Sequence, residues 1–72
     1  MFTYSKNVIN WLKITDYEGN KKIVRQDDIS KFEEEYDPKE NEIYVIITMR
    51  DGSSIKIINN IDSVWSVLDE KV

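Results

Sequence analysis

Two groups of side chains in this 72-residue chain are of the right type and spacing to do chemistry. The first is aromatic and cationic: Trp11, Lys13, Tyr17, Tyr44, Thr48, Arg50 and Lys56. If Trp11, Lys13 and Tyr17 share one strand face and Tyr44 and Thr48 another, with Arg50 and Lys56 beside them, a subunit junction presents stacking rings next to cations. Such a pocket suits a nucleotide, whose base stacks and whose phosphates need positive charge. The same rings also serve as ordinary anchors of a subunit contact, where Tyr and Trp are common, and this is the simpler expectation. The second group is acidic: Glu33, Glu34, Glu35 and Asp37. They lie in a stretch from Asp27 to Glu42 that carries eight acids against Lys31 and Lys39, net −6, leaving +2 for the remainder of a chain whose total is −4. A segment of this kind solvates a strand edge and keeps it from pairing with other edges. It also offers a surface to a basic protein, or imitates a nucleic acid.

Other chemistry is excluded by residue type. Without histidine or cysteine the usual general base, nucleophile, zinc ligands and disulfides are gone, so the chain is not expected to be an enzyme and no metal or cofactor is expected. The acids at 33–35 alternate sides of a strand and have no apolar enclosure to raise a pKa. Gly19 and Gly52 are isolated turn glycines and not a phosphate-binding loop, and Asp37 to Glu42 lacks the alternating oxygens and central glycine of a calcium loop. A basic stripe for phosphate contacts is missing, so direct DNA binding is not expected. No apolar run approaches the roughly 20 residues of a membrane span, and MFTYSKNV lacks the apolar core of a signal peptide, which points to the cytoplasm. Alanine is absent while Ile, Lys and Asn are abundant, a composition suggestive of an AT-rich bacterial or phage genome.

The elements that must position these residues centre on Ile43 to Ile58, two apolar strands joined by Asp51-Gly52. Taken as a two-residue turn, Asp-Gly sets Thr48 opposite Ile55, Ile46 opposite Ile57 and Val45 opposite Ile58. One face then carries Ile43, Val45, Ile47, Met49 and Ile58, and the other Tyr44, Ile46, Ile55 and Ile57. Both faces are apolar, one helix covers only one of them, and self-association is the expected cover for the second. A strand from about Asn10, a loop at Glu18-Gly19 and a second strand from Lys21 to Arg25 form another hairpin, with Asp16 opposite Lys21 and Ile14 opposite Ile23. Residues 28–36 fit both periods; a turn at Gln26 to Ile29 followed by a strand is chosen, with a helix as the alternative. Ile61, Val64, Trp65 and Leu68 form the apolar stripe of a helix over 61–70, capped by Asn59 and Asn60, with Trp65 its expected anchor.

The expected fold is therefore α+β: one domain over 1–72, with a possible arm at 1–7, a small antiparallel sheet of about five strands at 10–58, meander or barrel-like, and one C-terminal helix. The order of strand, turn, strand, Asp28-Ile29 then Phe32-Glu33, apolar strand, Asp-Gly, strand and short helix resembles the small flagellar and swarming-motility family FlbD. That likeness runs from about Leu12 to Leu68, with Gly19, Ile29, Phe32, the Thr48 to Gly52 stretch and Val64 at comparable places. The chain is also similar to the first half of the LytTR DNA-binding domain, where a segment like Asp28-Ile29 to Phe32-Glu33 precedes a hairpin like Tyr44 to Ile58 and a helix like Val64 to Leu68. It departs from LytTR in the later strand and in the basic residues used there for DNA. What the resemblance implies is a fold. The functional expectation is a small interaction or regulatory protein acting as a homo-oligomer with a protein partner; the alternatives are a phage counter-defence protein that sequesters a signalling nucleotide, or an acidic nucleic-acid mimic.

Overall fold

A computed structural model of the chain describes residues 2–4 and 11–68. Six strands and one helix follow in order: β1 (Phe2–Tyr4), β2 (Trp11–Thr15), β3 (Lys21–Arg25), a 3₁₀ turn (Gln26–Asp28), β4 (Ile29–Asp37), β5 (Glu42–Met49), β6 (Ser54–Ile58) and α1 (Ile61–Leu68). The small antiparallel α+β architecture with a C-terminal helix is thus the one expected, and residues 29–37 form a strand. The five expected strands are joined by β1, and they divide into two three-stranded sheets, β1-β2-β3 and β4-β5-β6. Of the expected elements, the remainder of the 1–7 arm, Asn10 and residues 69–70 lie outside the described residues.

Both hairpins pair one residue away from the expected register, for one reason. Gly52 N–H donates to Met49 O at 3.0 Å and Met49 N–H donates to Ser53 O at 2.8 Å, so the loop is Arg50-Asp51-Gly52, a tight turn closed by a glycine at φ +92°. Gly19 N–H donates to Asp16 O at 3.0 Å and Asp16 N–H to Asn20 O at 2.9 Å, with Gly19 at φ +89°, the same construction. A three-residue loop with glycine in the left-handed region adds one residue to the two-residue turn that Asp-Gly suggests. Its Asp anchors each loop: Asp16 Oδ1 accepts from the N–H groups of Glu18 (3.0 Å) and Asn20 (2.8 Å), and Asp51 Oδ1 accepts from Ser53 N–H (2.8 Å) and its hydroxyl (2.6 Å).

The slip re-sorts the faces. Ile47 lies opposite Ile55 and Val45 opposite Ile57, while Ile46 meets Lys56 and Tyr44 meets Ile58. Most of the apolar side chains of the central hairpin therefore collect on one face, with Tyr44, Ile46 and Ile58 left on the other, and the expected placing of Ile58 on the Val45 face and of Ile55 and Ile57 on the Tyr44 face is corrected. In the first hairpin Leu12 meets Val24 and Ile14 meets Lys22, leaving Ile23 opposite Lys13 on the outer face. Leu12 and Ile14 pack against Val45, Ile47, Ile55 and Ile57, with Val64 of the helix closing the cluster. The two sheets thus face each other across one core.

The helix follows its capping chemistry. Asn60 Oδ1 accepts from Ser63 N–H at 2.8 Å, and Glu34, on the core face of β4, accepts from Ile61 N–H at 2.9 Å. The buried anchor is Val64, 1% exposed; Trp65, expected to be the anchor, is 65% exposed. An eight-residue helix makes barely two turns, and its contact line runs through Val64, so its neighbour in sequence falls at the margin.

Candidate functional site

Three of the seven aromatic and cationic candidates come together on the outer face of the second sheet. Tyr44 projects there from β5, Lys56 from β6, and Tyr17 arrives from the β2–β3 loop because its N–H donates to Lys56 O at 2.8 Å. The two rings meet edge to face at 6.4 Å between centroids. The Lys56 ammonium lies 4.1 Å from the Tyr44 centroid and 5.1 Å from that of Tyr17. Burial, then the charges of Asp37, Glu40 and Glu42, and then Tyr17 push the Tyr44 phenol above its ordinary range, so it is a neutral ring at physiological pH. Thr48 shares the Tyr44 side of β5 and is half-buried.

The remaining candidates sit elsewhere. Trp11 and Lys13 occupy the β2 face opposite Leu12 and Ile14, where the Arg25 guanidinium covers the Trp11 ring at 5.8 Å. Arg50 is exposed in the β5–β6 loop, its N–H held by Asp28 O at 2.8 Å, and it lines a cleft of about 520 Å³ with Lys22, Asp28, Asp51 and Ser53. As a receptor for a stacked base the Tyr17–Tyr44 pair is poorly suited. Tyr44 is only 8% exposed and its face is taken by Lys56, so the cluster is satisfied from within.

The acids divide by strand parity. Glu33, Glu35 and Asp37 lie on the outer face of β4, opposite Ile46, Tyr44 and Glu42, while Glu34 is turned to the core face and holds the helix N-terminus. Lys31 pairs with Glu33 at 3.4 Å. Asp37 Oδ1 accepts the Lys39 N–H at 2.9 Å within the β4–β5 turn. Glu35 has no cationic partner among the described residues.

Sequence reasoning missed the surface beside this strand. Phe32 of β4 and Ile61, Val64, Trp65 and Leu68 of α1 line a cavity of about 230 Å³, and Trp65 stands at its lip. Farther along the same face of β4, Tyr36 is 60% exposed, with its cross-strand partner Ile43 also exposed. The signal was present in the helical stripe, where four apolar positions on a two-turn helix are more than one buried line needs. On its other edge β4 pairs with no strand among the described residues. The surface therefore combines the outer strand of the sheet, acids on one of its faces and an apolar hollow on the other.

No helix among the described residues is long and apolar enough to cross a membrane. Comparison with protein-family models, with curated proteins and with solved structures found no match to this chain.

Proposed function

We propose that this protein is a non-enzymatic interaction module that works as a homo-oligomer and docks a second protein, in the manner of a small regulator. The observation that carries the reading is Trp65, 65% exposed at the lip of a hollow it shares with Phe32, Ile61 and Leu68. Single exposed apolar residues are ordinary, but a contiguous group around a hollow marks a contact surface, and tryptophan is the side chain that contributes most there. Self-association rests on a different surface, the outer face of β5 and β6. Ile58 is 50% exposed there, Ile46 is half-buried, and Tyr17 at 49% flanks the pair. A chain this short gains more from oligomerisation than a larger domain would, because its own core is small.

The nucleotide reading has less support, since Lys56 occupies the ring face a base would use; a panel of cyclic and linear nucleotides is expected to leave the melting temperature unchanged. Mimicry of a nucleic acid also has less support, because Glu34, the middle of three consecutive acids, is engaged with α1. The test of the proposed function is light scattering at tens of micromolar. Wild type is expected as a multimer, Ile58→Lys as a monomer, and Trp65→Ser as a multimer that has lost partner binding. A wild-type chain that stays monomeric at that concentration removes the oligomeric half of the proposal.

A further inference from the structure

We propose that the cleft between β3 and the β5–β6 loop binds a small organic acid, its carboxylate held by Arg50 and Lys22 and its apolar body lying on Val24, Met49 and Ile55. This site is separate from the Trp65 surface and stands whether or not that surface docks a partner. The cleft opens where the core reaches the margin of the two sheets. Lys22 and Val24 are the β3 partners of Ile14 and Leu12, so both lie on the core side of the first sheet. Ile55 belongs to the core cluster, and Val24 and Met49 pack against it. A lysine at a core-side position leaves the mouth without the apolar side chain that would close it. The helix does not close it either, because α1 packs chiefly on β1 and β4, the strands at the other edge of each sheet from β3 and β6. The resulting space of about 520 Å³ lies within the roughly 300–1,000 Å³ span of small-molecule sites, which combine an apolar lining with a few placed polar groups.

The cations then select the head of the ligand. Arg50 is held by its main chain: its N–H donates to Asp28 O at 2.8 Å, and the bonds from Met49 N–H to Ser53 O and from Gly52 N–H to Met49 O close the loop around it. Its guanidinium forms no ion pair with any described carboxylate, although Asp28 and Asp51 line the same cleft. A guanidinium offers parallel donors that match the two oxygens of a carboxylate. Lys22 adds a second cation. Its ammonium lies 3.6 Å from Asp16 Oδ2, and with three N–H donors it keeps others for a further anion. The two acids set the limit on charge. Asp51 is engaged with Ser53, at 2.8 Å to the N–H and 2.6 Å to the hydroxyl, and Asp28 stands on the cleft wall. Two cations against two acids suit a singly charged head, whereas a polyphosphate meets both acids and is repelled.

The experiment titrates the ¹⁵N-labelled full chain with octanoate, octanol, octylamine and inorganic phosphate, read by amide shifts. Octanoate is expected to give saturable shifts at Val24, Arg50 and Ile55 with a Kd of about 1 mM, weakening as salt rises. Octanol keeps the apolar body and phosphate keeps the charge, and each is expected to bind at least about tenfold more weakly. Arg50→Gln should weaken octanoate by about tenfold while leaving octanol unchanged, and Arg50→Lys should lose less. Arg50 is exposed, and the dispersion of the amide spectrum checks that each variant is folded. Octanol, octylamine or phosphate binding as tightly as octanoate overturns the inference, and so does octanoate binding indifferent to Arg50→Gln. Saturable shifts centred on Trp65 and Leu68, or none by 10 mM octanoate, overturn it equally and leave the docking reading untouched.

Discussion

Two adjacent isoleucines measure the register of the central hairpin. Ile57 is fully buried opposite Val45, whereas Ile58 is 50% exposed opposite Tyr44. Ile57→Val removes one methylene from the core. The transfer loss is about 0.8 kcal/mol, and a residual void of roughly 20 Å³ at about 24 cal/mol per Å³ adds about 0.5 kcal/mol. The expected cost is therefore about 1.3 kcal/mol, against a total stability of roughly 4–11 kcal/mol for a domain of this length. Ile58→Val gives up half the transfer and leaves no void, about 0.4 kcal/mol. Thermal melts followed by circular dichroism should show Ile57→Val lower by about 4–8 °C per kcal/mol lost, equally at every protein concentration. Ile58→Val should differ little from wild type when dilute, with any larger effect appearing only where subunits associate. A reversed order, with Ile58→Val the costlier at low concentration, would refute the three-residue loop and restore the two-residue turn.

Two other perturbations test the loops directly. Gly52→Ala places a side chain at φ +92° where no atom lies within 4 Å of the new Cβ, so its cost is backbone strain alone, about 1–2 kcal/mol, with Gly52→Asn milder; a neutral Gly52→Ala in urea unfolding would contradict the assigned conformation. For Asp16, burial on its own would raise the carboxyl, but the N–H groups of Asn20 and Glu18 and the Lys22 ammonium at 3.6 Å more than offset it and hold the pKa below its ordinary value. A group whose folded pKa is depressed stabilises above its unfolded value, about 3.9, and that stabilisation is lost as the pH falls through the lower folded value. The urea midpoint of Asp16→Asn should thus lie below wild type at pH 7, the gap closing below about pH 4; a gap constant from pH 7 to pH 2 would show that the charge is not the cause.

How much of this was legible in the sequence depended on whether local chemistry had one solution. Asn60 as a cap and Asp37-Pro38 as a turn have few alternatives, and both the helix start and the β4–β5 connection follow from them. The strand at 29–37 could be chosen over a helix because the turn after it leads straight into Ile43. The loops at Gly19 and Gly52 had two solutions. Asp-Gly fits the middle of a two-residue turn and equally the last two places of a three-residue loop, and the difference of one residue puts Ile55 and Ile57 on the core face in place of Lys56 and Ile58. Trp65 was misplaced for a related reason: periodicity finds the apolar side of a helix, but which member of the stripe is central depends on the surface it meets. Of the candidate site residues, Tyr17, Tyr44 and Lys56 were grouped by type alone. The hollow beside β4 needed the helix position, which no spacing supplies.

The Tyr17 to Lys56 backbone bond is the single main-chain hydrogen bond between the two sheets among the described residues. The Lys56 ammonium over the Tyr17 ring and the edge-to-face Tyr17–Tyr44 pair sit at the same corner, and the core cluster between the sheets is apolar contact without direction, which tolerates sliding far better than a ladder does. The molecule is in effect two leaves, each paired within itself, joined through Gln26–Asp28 and spanned by α1, which touches β1 of one and β4 of the other. Splaying them breaks the Tyr17 bond and wets Leu12 and Ile14 while each leaf can keep its own pairing, and the exchange rate of the Tyr17 amide is expected to gauge such an opening.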